Sequence, residues 1–167
     1  NFGQPSSGAA NTNQSVNPFH AYGTAGNYNV ELKVVDSNGC KDTTIQTIEV
    51  IPAPVADFLV TTGCEGQEIP LQDNSTIAGN NTISTKIWNY GDGTSATNPQ
   101  SNKIYATLGT YDISLITISS NGCVDTTQNS ITINAVPVLN WQLSASCKGV
   151  ATSFESLSTI PVGTIDS

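Results

Sequence analysis

The sequence predicts an all-β protein made of tandem two-layer β-sandwiches, one complete and two partial. Three observations carry this expectation. Apolar residues fall at alternate positions in long runs, Asn-Gly pairs interrupt those runs, and the whole pattern recurs at an offset of 83 residues.

The alternation is clearest in Tyr28, Val30, Leu32 and Val34, with Asn29, Glu31 and Lys33 between them, and again in Tyr111, Ile113 and Leu115. A period of two is that of a strand with one buried face. Asn38-Gly39 and Asn121-Gly122 then break the pattern. Both residue types tolerate positive φ, so Asn-Gly between strands predicts a tight hairpin in each copy. Further strands are expected at residues 56–60, 68–72, 84–90 and 102–105, separated by Gly, Pro, Asn and Ser clusters. No stretch carries a 3.6-residue apolar stripe. About seven short strands, with turns every 8–12 residues or so, predict an immunoglobulin-like sandwich.

The repeat sets the domain organisation. Tyr22 maps to Tyr105, Gly26 to Gly109, Cys40 to Cys123, Asp42-Thr43-Thr44 to Asp125-Thr126-Thr127, Phe58 to Trp141, Cys64 to Cys147 and Leu71 to Phe154, all at the same offset of 83. Asn1-Phe2-Gly3 matches Asn89-Tyr90-Gly91 at an offset of 88, so the loop before Tyr22 is five residues longer in the first copy. Residues 1–52 therefore form the back of one repeat, 53–135 a complete repeat, and 136–167 the front of a third. Neither partial unit is expected to close a core alone, and the 167 residues read as a window on a longer tandem array.

Composition narrows the function classes. The formal charge is −8, from thirteen acidic residues against five lysines; there is no Arg or Met, and there is one His. Five scattered lysines cannot track a phosphate backbone, which argues against nucleic acid. No apolar run approaches the roughly 20 residues of a membrane-spanning helix, and no secretion leader opens the sequence. With charged residues at 11% and abundant Thr, Ser and Asn, the chain suits a β-rich extracellular surface.

Trp88-Asn89-Tyr90-Gly91-Asp92-Gly93, then Tyr105, then Gly109-Thr110-Tyr111 and an alternating run, resembles the polycystic-kidney-disease (PKD) domain, which has an aromatic strand ending in Gly-Asp-Gly and a later Gly-x-Tyr strand. In the first copy Gly3-Gln4 replaces Gly91-Asp92. Cys64-Glu65-Gly66 and Cys147-Lys148-Gly149, with Asn-Gly-Cys in the hairpins, are similar to repeats in very long surface proteins of gliding bacteria that use type IX secretion. The resemblance implies a non-catalytic repeat of a cell-surface adhesin, active in adhesion and gliding motility. Its partners would be neighbouring repeats and a surface polysaccharide or protein. The alternative is a carbohydrate- or protein-binding accessory module of a secreted hydrolase. Fold-level resemblance speaks to function less directly than to architecture.

Catalytic chemistry has little to draw on. His20 is replaced by Lys103 in the second copy, so a His-dependent nucleophile or metal site would exist in one repeat and not the next. The carboxylates are dispersed, whereas a glycosidase needs two facing across a cleft. No enzyme activity and no cofactor are expected. The resemblance also implies a calcium site near the Gly-Asp-Gly turn, for which Asn74, Ser75 and Asp92 are the candidate oxygen ligands; only one is a carboxylate. The other reading of Asp92 is a turn-fixing acceptor of backbone N–H bonds. Of eleven aromatic residues, nearly all sit at repeat-framework positions, and only Phe19, opposite Asn102, is unmatched as a sugar-stacking candidate.

Cys40, Cys64, Cys123 and Cys147 recur at the same two places in the repeat, which suggests disulfides in an oxidising setting rather than zinc. Four cysteines allow three connectivities. Cys64 and Cys123 are expected at opposite poles of the complete sandwich, roughly 20–30 Å apart, against the ~4.4–6.8 Å between Cα atoms that a disulfide spans. A head-to-tail array offers another solution, in which the first-turn Cys of one repeat meets the last-hairpin Cys of the next. Thr43 and Thr126, each after an Asp, match the Asp-Thr/Ser acceptor pattern for O-glycosylation in exported proteins of the same bacteria. Thr-rich strand starts are also ordinary.

Overall fold

A computed structural model describes residues 1–98, 102–144 and 146–165. They fall into two compact units: residues 1–53 with 77–81, and residues 54–76 with 82–167.

The first unit is built on a hairpin of β1 (Gly26–Val35) and β2 (Lys41–Val50), antiparallel and in continuous register from Gly26 opposite Val50 to Val35 opposite Lys41. Asn38-Gly39 makes the reversal as expected, with Gly39 at φ +83°. Asp36 closes the turn by accepting the N–H groups of Asn38 and Cys40 at 2.9 and 2.8 Å. Asn1 lies alongside β1, its backbone carbonyl 2.8 Å from the Glu31 nitrogen. The loop that follows contains a short 3-10 segment, Pro5–Asn11, kinked at Gly8 and not anticipated from the sequence.

The second unit contains β3 (Pro54–Val55), β4 (Phe58–Val60), β5 (Gly63–Cys64), β6 (Glu68–Asp73), β7 (Thr76–Ile77, shared at its last residue with the first unit), β8 (Ile83–Asn89), β9 (Ser95–Thr97), β10 (Asn102–Ile104), β11 (Gly109–Ser119) and β12 (Val124–Asn134). Two further short strands follow, β13 (Trp141–Leu143) and β14 (Phe154–Ser156). A three-stranded sheet in the order β10-β6-β4 faces a five-stranded sheet in the order β5-β12-β11-β8-β9, which makes the expected immunoglobulin-like sandwich. All pairs in both sheets are antiparallel except β5 with β12.

The core comes from the alternating faces. Phe58, Ile69 and Leu71 project from one sheet, and Trp88, Ile113, Leu115, Ile131 and Ile133 from the other; all are buried. Phe58 meets Trp88 edge-on, with ring centroids 4.9 Å apart. Burying one such side chain contributes about 1.5–3 kcal/mol, so this layer supplies most of the driving force for folding. β11 continues its inward alternation through Thr117 and Ser119, which sequence alternation alone would not place in a core. Both are satisfied locally: the Thr117 hydroxyl donates to the Asp125 carbonyl at 3.4 Å, and Ser119 Oγ accepts the Cys123 N–H at 3.1 Å.

Strand ends depart from expectation where a side chain intercepts the backbone. Ala56 gives its N–H to the Asp125 carboxylate at 2.8 Å, so β4 starts at Phe58 and not two residues earlier. Tyr90 turns its N–H to the Thr94 carbonyl at 3.1 Å, which ends β8 at Asn89.

Candidate functional site

The most organised polar cluster follows β8, in Asn89-Tyr90-Gly91-Asp92-Gly93-Thr94. Gly91 has φ +76°, and a Cβ there would stand 2.7 and 2.8 Å from the carbonyl oxygen and nitrogen of Asp112 on β11. Only glycine lets the turn lie this close against the strand. Asn89 Oδ1 accepts the Gly91 N–H at 3.1 Å, and Asp92 Oδ1 accepts the Thr94 N–H at 3.0 Å and its hydroxyl at 2.6 Å.

The other Asp92 oxygen, Oδ2, is 2.7 Å from Lys103 Nζ. Lys103 also donates to Thr94 Oγ1 at 2.8 Å and lies 4.8 Å above the Tyr90 ring centre and 5.6 Å from that of Tyr105. The Tyr105 hydroxyl donates to the Tyr90 carbonyl at 3.0 Å. Burial raises the Asp92 carboxyl, but the bonds from Lys103 and Thr94 and the Lys103 charge outweigh it, so its pKa is held below the ordinary carboxylate range. Burial, assisted by the Asp92 charge, pushes the Tyr105 phenol up to about 12. A second ion pair joins Lys86 to Asp73: burial raises the Asp73 carboxyl, but the bonds from Lys86 and Ser75 and the Lys86 charge together outweigh it, so its pKa is lowered. These groups are fixed in structural pairs, and the cluster works as a clasp between β8, β10 and β11.

The first unit carries a Gln–His version of the same clasp. His20 Nε2 lies 3.0 Å from Gln4 Oε1, its ring stacks on Phe2 at 4.4 Å and 6°, and it meets Tyr22 edge-on at 4.6 Å. The Tyr22 hydroxyl donates to the Phe2 carbonyl at 2.9 Å, as Tyr105 does to Tyr90. The two departures between the copies, Gln4 for Asp92 and His20 for Lys103, are thus one exchanged pair. The sequence held the signal as two changes at two aligned positions, but nothing in it placed those positions in contact.

Beside this Gln–His clasp is an open apolar groove of about 370 Å³, lined by Phe2, His20, Tyr22, Val30, Leu32 and Ile48 among others. Phe19 is exposed outside the groove lining.

A sequence pattern for the PKD domain matches residues 51–135. The chain belongs to the PKD domain family. It is similar to the collagenase ColA of Bacillus cereus, 29% identical over 75 residues that make up 45% of this chain and 8% of the collagenase, and so spans only a small part of that relative. Among solved structures, it is similar to the PKD1 domain of the Vibrio cholerae metalloprotease PrtV, at 28% identity and TM-score 0.43 over 48% of this chain and 96% of that domain. The PKD1 domain of Vibrio anguillarum Epp is similar at 23% identity and TM-score 0.45, over 50% and 96%.

Within this PKD sandwich the calcium candidates lie on separate turns. Asn74 and Ser75 follow the end of β6, whereas Asp92 is tied to Lys103, which pairs with Ile69 about 13 Å back along that strand. Ser75 Oγ exchanges bonds with the Asp57 backbone at 3.2 Å. Among the described residues no three His, Cys, Asp or Glu side chains converge as a metal set. All four cysteines are free thiols. Cys64 lies beside Asn134 at one end of β12, and Cys123 immediately precedes the other end, about 33 Å away. Thr43 and Thr126 are exposed at equivalent places on β2 and β12. Among the described residues no helix is long and apolar enough to cross a membrane.

Proposed function

We propose that this chain is a non-catalytic repeat segment of a long bacterial cell-surface adhesin, an extended extracellular spacer and interaction module with a part in gliding motility. The observation that carries this reading is the duplicated framework. The β1–β2 and β11–β12 hairpins share one register, and the Tyr22–Phe2 and Tyr105–Tyr90 bonds share one geometry. A filled sandwich whose two ion pairs are half-buried suits reach and stiffness more than turnover, and weak contacts repeated along an array give avidity.

The proposed contacts are with neighbouring repeats and with a surface polysaccharide or protein. Stapling of successive repeats through Cys40, Cys64, Cys123 and Cys147 would stiffen the rod, a bound calcium ion at Asn74, Ser75 or Asp92 would do the same, and glycans on Thr43 and Thr126 would coat it. The similarity to a stretch of a bacterial collagenase favours a second reading, an accessory binding module of a secreted hydrolase.

Antibodies raised against this chain separate the two. Labelling of a very long polypeptide on intact cells is expected for the adhesin. Recovery of the epitope on a hydrolase in cell-free medium, with bare cells, would establish the accessory module instead.

A further inference from the structure

Within the second unit, the joint that leads from the central sandwich into the β13–β14 ribbon is very short. Asn134, the last residue of β12, still pairs with Cys64 in parallel. Val138 already exchanges both backbone bonds with Thr159 of the following repeat, at 2.7 and 2.9 Å. Only Ala135, Val136 and Pro137 lie between them. With free torsions these residues would let the ribbon swing, but each is restrained.

Ala135 is buried, at 7% exposure. The Pro137 ring holds its own φ at about −65° and confines the residue before it, Val136, to extended conformations. The third restraint is a side chain. Glu65 follows Cys64 and donates its N–H to the Asn134 carbonyl at 2.9 Å. A parallel ladder would next bring the Val136 N–H to the Glu65 carbonyl. The chain turns away instead: the Gln67 N–H donates to the Cys64 carbonyl at 3.2 Å with Gly66 at φ +76°, a type II turn with Glu65 at its second position. The Val136 N–H goes to the Glu65 carboxylate, 3.3 Å from Oε1. That carboxylate stands in for a backbone carbonyl and carries the ladder one bond past the end of β12. Its base is fixed, because the Gly66 N–H donates to the Tyr105 carbonyl at 2.8 Å.

We infer that Glu65 is a latch on this joint, a positioning residue that holds Val136 in line with β12 and so sets the direction in which the next repeat leaves the sandwich. The following repeat supplies a contrast. Cys147-Lys148-Gly149-Val150 makes the same turn, with the Val150 N–H 3.1 Å from the Cys147 carbonyl and Gly149 at φ +85°. Lys148 stands where Glu65 does, and an ammonium group has donors and no acceptor. No such latch can form at that turn. Joints along an array therefore differ in stiffness according to the residue at this one turn position. The inference concerns the joint itself and holds for an adhesin rod and a hydrolase module alike.

Amide hydrogen exchange and residual dipolar couplings, measured by NMR on the full isotope-labelled chain, test this. The Val136 amide is expected to be protected in the unaltered chain and in Glu65→Gln, which keeps an acceptor oxygen in place. In Glu65→Ala and Glu65→Lys it is expected to exchange about tenfold faster or more, the factor for losing one bond to a charged acceptor. Amides of β11 are expected to keep their protection in every chain. One alignment tensor is expected to fit the sandwich and the β13–β14 ribbon in the unaltered chain and Glu65→Gln, with a reduced tensor for the ribbon in the other two. A Val136 amide that exchanges freely in the unaltered chain, or stays protected in Glu65→Ala, would overturn the inference. So would a ribbon that is already reoriented independently in the unaltered chain. Loss of protection in Glu65→Gln would do the same, as would β11 amides that loosen together with Val136, since Glu65 would then support the sandwich and not the joint.

Discussion

Lys103 closes over Asp92, with Nζ 2.7 Å from Oδ2 and 4.8 Å from the centre of the Tyr90 ring, so one ammonium group joins a turn, a strand and an aromatic face. The Asp92 pKa is lowered in the folded chain from an ordinary 3.8. Its stabilisation is therefore complete above about pH 4 and is lost as pH falls through the folded value. Asp92→Asn is expected to cost about 1 kcal/mol at neutral pH, the upper range for a partly exposed pair. The urea midpoints of the two chains are expected to converge as pH drops below that range; a gap that persists in acid would show that the charge is not what Asp92 contributes.

Gly91→Ala is expected to be far more damaging than its size suggests. The added Cβ meets the Asp112 backbone at 2.7 Å with φ at +76°, so backbone on one side or the other must shift. A loss of about 2 kcal/mol or more follows from the left-handed conformation and the clash together. Equilibrium unfolding that moves by only a few tenths of that would mean the turn relaxes away from β11.

Leu115→Ala and Leu32→Ala place the same truncation at equivalent positions of the two hairpins. Leu115 is buried in the central core cluster that also holds Phe58 and Leu71, and its truncation is expected to cost about 2–5 kcal/mol. Leu32 faces solvent, and in dilute solution its loss is expected to stay within about 0.5 kcal/mol. Denaturant midpoints check the contrast, and equal costs would mean that the first hairpin already has a cover.

Tyr105 is expected to resist ionisation. Burial and the Asp92 charge raise its phenol from 10 to about 12, so its contribution is intact below pH 10 and is lost between there and the folded value. An absorbance titration of tyrosinate is expected to show this late step in the folded chain and its loss in Tyr105→Phe. That variant also forfeits the bond to the Tyr90 carbonyl, at about 1 kcal/mol near neutrality.

The long hairpins were legible because their signals are local. Alternation fixes which face of β1 and β11 is apolar, and Asn-Gly fixes where the chain reverses. Short strands such as β5 and β9 were not legible, since two or three residues carry no period and depend on a neighbour already in place. Trp141 and Phe154 hold framework positions of the repeat and stand exposed, as expected of a partial unit that cannot close a core alone, because burial belongs to a pair of surfaces and not to one residue.

The sequence by itself determined the all-β class, the repeat of 83, the hairpin turns and the PKD signature, since each is written in residues close together in the chain or repeated along it. The tertiary structure alone decided that Gln4 answers His20 as Asp92 answers Lys103, and that the framework aromatics divide into covered and uncovered sets. Those are long-range facts: a contact between distant positions depends on how two sheets stack, and that stacking is set by the summed burial of both faces.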